Sequence, residues 1–362
     1  MSLYPYTFFT HMTEKITAWL EMLDARQGSD LHLRAGSVPM IRIMGELVPC
    51  SEECVTNDEM DAMLRAITHK RQYEVFEKNH ELDFRWEIPS LGFYRVNFFE
   101  TLCGLAAAFR PIPRVIPSFE ALGLNPGLKQ LAMLKNGLVL ITGPTGSGKS
   151  TALSAIIDHA NRKRHDHIIT IEDPIEFVYQ NAECMVSQRE VGTHTNSFAA
   201  ALRVALREDP DIIVVGEMRD TETIELALRA AETGHLVFAT LHTNSASTTI
   251  DRIINVFSAE QQQQVRLTLS QCLRSVLSVT LLKRADAKGR VQAMEILHAT
   301  PAIRALVRDG RVYQIPSVLQ TSRHLGMQTL DMHLEELFEL GLISRDTALQ
   351  AAREPQLMLH KL

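Results

Sequence analysis

Gly143-Pro144-Thr145-Gly146-Ser147-Gly148-Lys149-Ser150-Thr151 lies between an apolar run, Leu138 to Ile141, and a segment whose Leu153, Ile156, Ile157 and Ala160 recur at helical spacing. A strand that passes through a glycine-rich turn into a helix is the setting of a P-loop. The glycines allow backbone N–H groups to close around phosphate oxygens at the positive end of the helix. Lys149 is then expected to reach the β- and γ-phosphates and the Ser150 hydroxyl to ligate Mg²⁺. The stretch predicts binding of a nucleoside triphosphate, ATP in the simplest case, with Gly143 to Thr151 as its cradle.

Working outward, the carboxy-terminal pattern alternates. A strand is expected at His167–Ile171, then an irregular region, a helix at Phe198–Leu206 and a strand at Ile212–Val215. A helix at Thr221–Glu232, capped by Asp220, leads to a strand at Leu236–Thr240. Such alternation implies a parallel sheet with reactive groups at the carboxyl ends of its strands. From about Thr300 the pattern is helical: Ile303–Val307, Leu330–Leu340 and Arg345–Arg353. The run Gln261–Gln264 reads as a solvated helix face.

Upstream, Arg110-Pro111-Ile112-Pro113-Arg114-Val115-Ile116-Pro117 breaks both periodicities. It is expected to form a linker over 110–118, between an amino-terminal domain, 1–109, and an ATPase domain, 119–362. The amino-terminal domain reads as α+β: a helix through Ile16, Leu20 and Leu23, strands at Asp30–Arg34 and Met40–Val48, a helix through Met60, Met63, Leu64 and Ile67, and strands at Leu82–Ile88 and Phe93–Phe99.

The chain has 362 residues, 45% hydrophobic and 22% charged, which suits two domains with separate cores. A net charge of −6 gives no global reason to expect binding to nucleic acid, which usually needs a basic surface to displace counterions, so no nucleic-acid partner is expected, a local basic groove aside. Five scattered cysteines suit reduced thiols better than a disulfide framework, and Cys50 with Cys54 lacks the further ligands that zinc needs. Met1 to His11 carries Pro5 and no basic segment, unlike a signal peptide, and no apolar run approaches the ~18 residues of a membrane span. A cytoplasmic protein without membrane insertion is expected.

Triphosphate hydrolysis needs a metal, a positioned water and stabilised charge on the γ-phosphoryl group. Two strands end in acids: Thr170-Ile171-Glu172-Asp173-Pro174-Ile175-Glu176-Phe177, and Ile212-Ile213-Val214-Val215-Gly216-Glu217. In the second, Gly216 occupies the usual Walker B aspartate position and the carboxylate falls at Glu217. Glu217 would organise Mg²⁺ or the attacking water, and Glu176 or Glu172 would be the base. His235 and His242 bracket the strand Leu236–Thr240, ~23 Å apart if extended, too far to share one metal.

Together these segments resemble the secretion-ATPase superfamily, and within it the retraction ATPases of type IV pili, over nearly the whole chain. The resemblance includes Gly28-Ser29-Asp30-Leu31-His32-Leu33, the P-loop, the box Glu172-Asp173-Pro174-Ile175-Glu176, the ending Gly216-Glu217-Met218-Arg219-Asp220 and the histidines. Ala302-Ile303-Arg304-Ala305-Leu306-Val307-Arg308-Asp309 looks like the AIRNLIRE element of retraction ATPases; its apolar residues also fit an ordinary amphipathic core helix. The resemblance implies a PAS-like amino-terminal domain joined to a RecA-like ATPase domain with carboxy-terminal helices. It implies a homohexamer at the cytoplasmic face of the inner membrane, acting on a pilus platform protein, with a paralogous pilus ATPase among its potential partners.

It also implies Glu176 as general base, Glu217 as Walker B acid, His235 and His242 near the γ-phosphate, and Arg95 and Arg110 as cations reaching nucleotide. Phe99-Glu100-Thr101-Leu102-Cys103-Gly104 lacks an arginine that the family often carries there. Pilus retraction leads; a secretion-system motor and a non-hydrolysing accessory subunit are the alternatives.

Overall fold

The computed structural model describes residues 6–113, 115–286 and 289–362. Residues 1–5 of the aromatic start, and Arg114 of the proline-rich stretch, therefore lie outside the described residues. The chain divides into two compact units, Met1–Arg114 and Val115–Leu362.

In the amino-terminal unit, strands β1 (Asp30–Arg34), β2 (Met40–Ile43), β3 (Glu46–Pro49), β4 (Glu81–Ile88), β5 (Gly92–Thr101) and β6 (Gly104–Pro111) form one sheet in the order β3-β2-β1-β6-β5-β4. Every pairing in it is antiparallel. The helix Tyr6–Ala25 buries Met12, Ile16, Trp19, Leu20 and Leu23, one stripe at three- and four-residue steps. The helix Asn57–Ile67 adds Met60, Met63 and Leu64 to the same core and starts with a capping box, Thr56 with Glu59. This is the α+β arrangement that the PAS-like expectation describes.

Three local readings change. The single strand expected over Met40–Val48 is a hairpin, turned at Met44-Gly45, where both residues have positive φ, 50° and 94°. Only Gly45 advertised that turn. The helix Lys70–Asn79 buries Phe76 alone and so shows no apolar period. Strand β6 is rich in alanine, a poor strand former, and is extended because it is paired on both sides, with β1 and β5. It runs to Pro111, two residues into the stretch expected as linker; a proline is tolerated at a strand end.

In the second unit, β7 (Gly137–Thr142), β8 (His167–Glu172), β9 (Met185–Glu190), β10 (Ile212–Val215), β11 (Leu236–Leu241), β12 (Leu273–Lys283) and β13 (Arg290–His298) are ordered β13-β12-β7-β11-β10-β8-β9. All pairings are parallel except β12 with β13. The central strands β7, β10 and β11 are buried along their whole length and nearly all apolar because both faces are covered. Leu138, Leu140, Ile213, Val215, Val237 and Ala239 enter one core, and Val139, Ile141, Ile212, Val214, Leu236 and Phe238 the other. The P-loop helix, Lys149–Asn161, packs on the second core. Helices Phe198–Ala205, Thr221–Glu232, Ala246–Asn255, Ala259–Cys272 and Pro301–Arg308 cover the first.

The sheet is thus parallel with one antiparallel edge, β13, and the region expected to be irregular contains β9. Strand β9 has no apolar run, since only Glu190 of its six residues is fully buried. The helix resembling the retraction element points Ile303, Leu306 and Val307 into the core, so its apolar residues do ordinary packing. Gln261, Gln263 and Gln264 are exposed on Ala259–Cys272, as expected of a solvated face. Among the described residues no helix is long and apolar enough to cross a membrane, and no cluster of metal-ligating side chains occurs around Cys50 and Cys54 or elsewhere.

Candidate nucleotide-hydrolysis site

The P-loop leaves the carboxyl end of β7 and folds back on itself. At Gly143, φ is +143° and a Cβ would lie 2.3 Å from the Val279 carbonyl oxygen and 2.5 Å from Ser147 Oγ, so only glycine fits. Lys149, almost fully buried, donates from Nζ to the carbonyl oxygens of Gly143 at 2.7 Å and Pro144 at 2.9 Å. Burial lowers the pKa of its ammonium, and the carboxylates of Glu217 and Glu176 oppose that shift. Ser147 Oγ is buried and has no hydrogen-bond partner among the described residues.

Strand β10 explains the displaced acid. A Cβ on Gly216 would stand 3.0 Å from the Ile171 carbonyl oxygen and 3.1 Å from the Glu172 Cα on neighbouring β8. An aspartate there would press on that backbone, and the first carboxylate able to clear it belongs to Glu217. Its Oε1 lies 2.6 Å from Arg219 Nε and 3.0 Å from His242 Nε2. Burial pushes the Glu217 pKa up, but Arg219 and His242 outweigh it and hold the carboxyl below its ordinary range. Lys149 Nζ is 3.5 Å from His242 Nδ1, so a His242 tautomer with its proton on Nε2 accepts from Lys149 and donates to Glu217. His242 thereby links the P-loop lysine to the β10 acid.

The acidic box continues β8. Glu172 accepts from Thr170 Oγ1 at 2.6 Å and from Gln188 Nε2 at 3.1 Å. Burial dominates its titration and raises its pKa to about 7 despite those hydrogen bonds. Beyond it, Ile175 and Phe177 are buried while Glu176 between them is exposed. This alternation turns the Glu176 carboxylate outward.

A cleft of about 340 Å³ collects these groups: Gly148, Lys149, Ser150 and Thr151 from the P-loop, Glu172 and Glu176 from the acidic box, Glu217 from β10 and His242 from β11. Thr145 and Gly146 also line it. So does Arg290, from the start of β13, a residue the sequence reading missed because nothing marked β13 as a neighbour of the P-loop. Eight lining groups are ionisable (Lys149, Glu172, Asp173, Glu176, Tyr179, Glu217, His242 and Arg290), so the cleft suits a charged ligand.

His235 does not belong to this cleft. It precedes β11, at the end opposite His242, and its Nδ1 lies 3.1 Å from the Ala230 carbonyl oxygen. The two histidines stand at opposite ends of β11, in keeping with the ~23 Å expected of an extended strand.

Arg95 and Arg110 belong to the amino-terminal unit, where they are direct cross-strand partners. Arg85 faces Arg95 on the next strand, and Arg42 faces Asp30, which Arg110 Nη2 approaches at 2.7 Å. A row Arg42, Asp30, Arg110, Arg95, Arg85 therefore crosses five strands on one face of the sheet. Like charges directly opposite one another are unfavourable, and only the nearly buried Asp30 offsets them within the row. The sequence shows the arginines but not their register.

Comparisons with known proteins follow the same lines. The family model described as type II/IV secretion system protein matches residues 94–323. The type IV pilus retractation ATPase PilT of Pseudomonas aeruginosa is 51% identical over 333 residues, covering 92% of this chain and 96% of that protein. The twitching motility protein of Neisseria gonorrhoeae is 48% identical over 88% of this chain and 86% of its own length. The crystal structure of the pilus retraction motor PilT with bound ADP superposes with a TM-score of 0.89 at 43% identity, covering 94% of this chain and 98% of that one. The family match begins in β5 and runs through the P-loop, both acid-terminated strands and the helix Pro301–Arg308 after β13, and so makes this chain a member of the type II/IV secretion system protein family.

Proposed function

We propose that this chain is an ATP-hydrolysing motor that drives type IV pilus retraction, and with it twitching motility, as a homohexamer. One observation carries the reading: Lys149, Ser150, Glu176, Glu217 and His242 converge on one cleft in a chain 51% identical to a pilus retraction ATPase. In this reading the P-loop backbone from Gly143 to Thr151 cradles the phosphates and Lys149 moves from its carbonyl partners to the β- and γ-phosphates. Ser150 and Glu217 offer hard oxygen donors to Mg²⁺, a fitting pair for that ion. Bound magnesium supplies positive charge between the phosphates.

Glu176, outward in the cleft, accepts a proton from water as its oxygen attacks the γ-phosphorus and the bond to the bridging oxygen breaks, giving ADP and phosphate. His242, between Lys149 and Glu217, responds to the γ-phosphate. His235 acts away from this cleft, toward a neighbouring subunit. Arg95 and Arg110 supply cations from the amino-terminal unit, which ties hydrolysis to domain position. The motor works at the cytoplasmic face of the inner membrane on a pilus platform protein, with a paralogous pilus ATPase as a further partner.

The test is Glu217→Ala at the native locus, reading pilus length and retraction, with ATPase activity measured on the purified variant. Lost hydrolysis with long, non-retracting pili supports the proposal. Lost hydrolysis with normal pilus dynamics assigns the motor to a secretion system, unchanged hydrolysis overturns the assignment of Glu217, and no hydrolysis even in the native protein points to an accessory subunit.

A further inference from the structure

The segment from Asp173 to Gln180 has no regular hydrogen-bonding ladder, yet Ile175 and Phe177 within it are buried. Backbone groups in such a segment need side-chain partners. Strand β9 supplies them from one face. Gln188 Nε2 donates to the Phe177 carbonyl oxygen at 2.9 Å and to Glu172 Oε1 at 3.1 Å, while Gln188 Oε1 accepts from the Tyr179 N–H at 2.9 Å. Two residues on, Glu190 Oε2 accepts from the Ile175 N–H at 3.1 Å, and its Oε1 accepts from Thr193 Oγ1 at 3.0 Å. Arg189, between them, points elsewhere, to Glu208 at 3.2 Å. Glu176 thus sits in a loop gripped on either side, and its own N–H reaches Glu172 Oε2 at 3.4 Å.

We propose that Gln188, seconded by Glu190, is a positioning residue for hydrolysis: β9 clamps the acidic-box loop so that the Glu176 carboxylate faces the cleft. The proposal rests on Glu176 being the base. Gln188 is suited to the task because its amide offers two N–H donors and a carbonyl acceptor at one side-chain end, and the loop uses all three. A carboxylate there could accept from Tyr179 but could not donate to Phe177 or Glu172 unless protonated.

The test compares Gln188→Ala, Gln188→Glu and Glu176→Gln in the full-length protein, reading kcat, KM, affinity for a fluorescent ATP analogue and the pH profile. Gln188→Ala is expected to lower kcat at least tenfold while the analogue's Kd stays within threefold. Gln188→Glu, close to native shape, is expected to lose a similar factor at pH 8 and to recover relative to the native protein as pH falls toward 6, where the new carboxyl and the adjacent Glu172, raised to about 7, share a proton to donate. A kcat within twofold of native for Gln188→Ala, or a Gln188→Glu deficit that does not change with pH, overturns the clamp. Turnover retained in Glu176→Gln overturns the base assignment itself. Abolished turnover in Glu176→Gln with native kcat in both Gln188 variants rejects the clamp alone.

Discussion

Glu217 and Glu172 differ by environment more than by chemistry. Glu217 is held ionised by Arg219 and His242, whereas Glu172 is drawn toward its neutral form by burial. Removing the Glu217 charge in Glu217→Gln is expected to cut ATP turnover on the order of a hundredfold or more, with nucleotide affinity little changed; steady-state kinetics beside equilibrium binding separate the two effects. Glu172 gives a pH signature. Its folded-state pKa of about 7 lies above the ordinary 4.5, so the folded protein binds the extra proton in that window. The associated stability is fully present below the lower value and is lost as pH rises through about 7. Glu217 shifts the opposite way and loses its contribution only as pH falls below the ordinary carboxylate range, outside this window. Melting temperature followed from pH 5 to 8 should therefore decline more steeply for the native protein than for Glu172→Gln. Parallel curves would remove the buried-acid account. Both residues were visible in the sequence as acids after apolar runs, but nothing there distinguished a neutral one from an ionised one, because desolvation depends on what packs above it.

At the level of elements, the helix Thr221–Glu232 was legible to the residue, since Asp220 is a strong amino-terminal cap. Asp220 Oδ1 accepts from the Thr223 N–H at 2.8 Å and Oδ2 from the Thr223 hydroxyl at 2.7 Å. Asp220→Ala should cost about 1 kcal/mol, read from the midpoint of a urea titration, and should leave kcat nearly intact. A core position in the same unit behaves differently: Ile213 on β10 is fully buried, and Ile213→Ala is expected to cost about 2–5 kcal/mol through the cavity it leaves. A cost no larger than that of the cap would contradict the two-sided burial of β10. Elements were missed where their residues carry no period of their own. Strand β9 is largely polar and β6 has three consecutive alanines at its centre, and each is extended because of its strand pairing rather than by local preference.

For the whole molecule, the row of arginines and the cleft lie in different units of the chain, so the proposed motor depends on bringing them together. Lys149→Ala and Arg110→Ala should each be inactive alone. Mixing the two should restore a measurable fraction of turnover if one subunit's arginines serve another's P-loop; no recovery would place both on the same chain. Mass measurement of the mixture by light scattering should give six subunits per particle in the presence of nucleotide.

From the sequence alone came the expectation of a P-loop turn between strand and helix, the two acid-terminated strands and the break at the prolines. These depend on local rules: glycines that permit a tight phosphate loop, apolar runs long enough for buried strands, prolines that interrupt both periodicities. Only the tertiary structure decided that His242 lines the cleft while His235 stands at the other end of β11, that Arg290 borders it, that a side chain at Gly216 would press on the backbone of β8, and that β9 hydrogen-bonds the acidic box. Each of those follows from which strands become neighbours, a long-range outcome of packing that no window of the sequence contains.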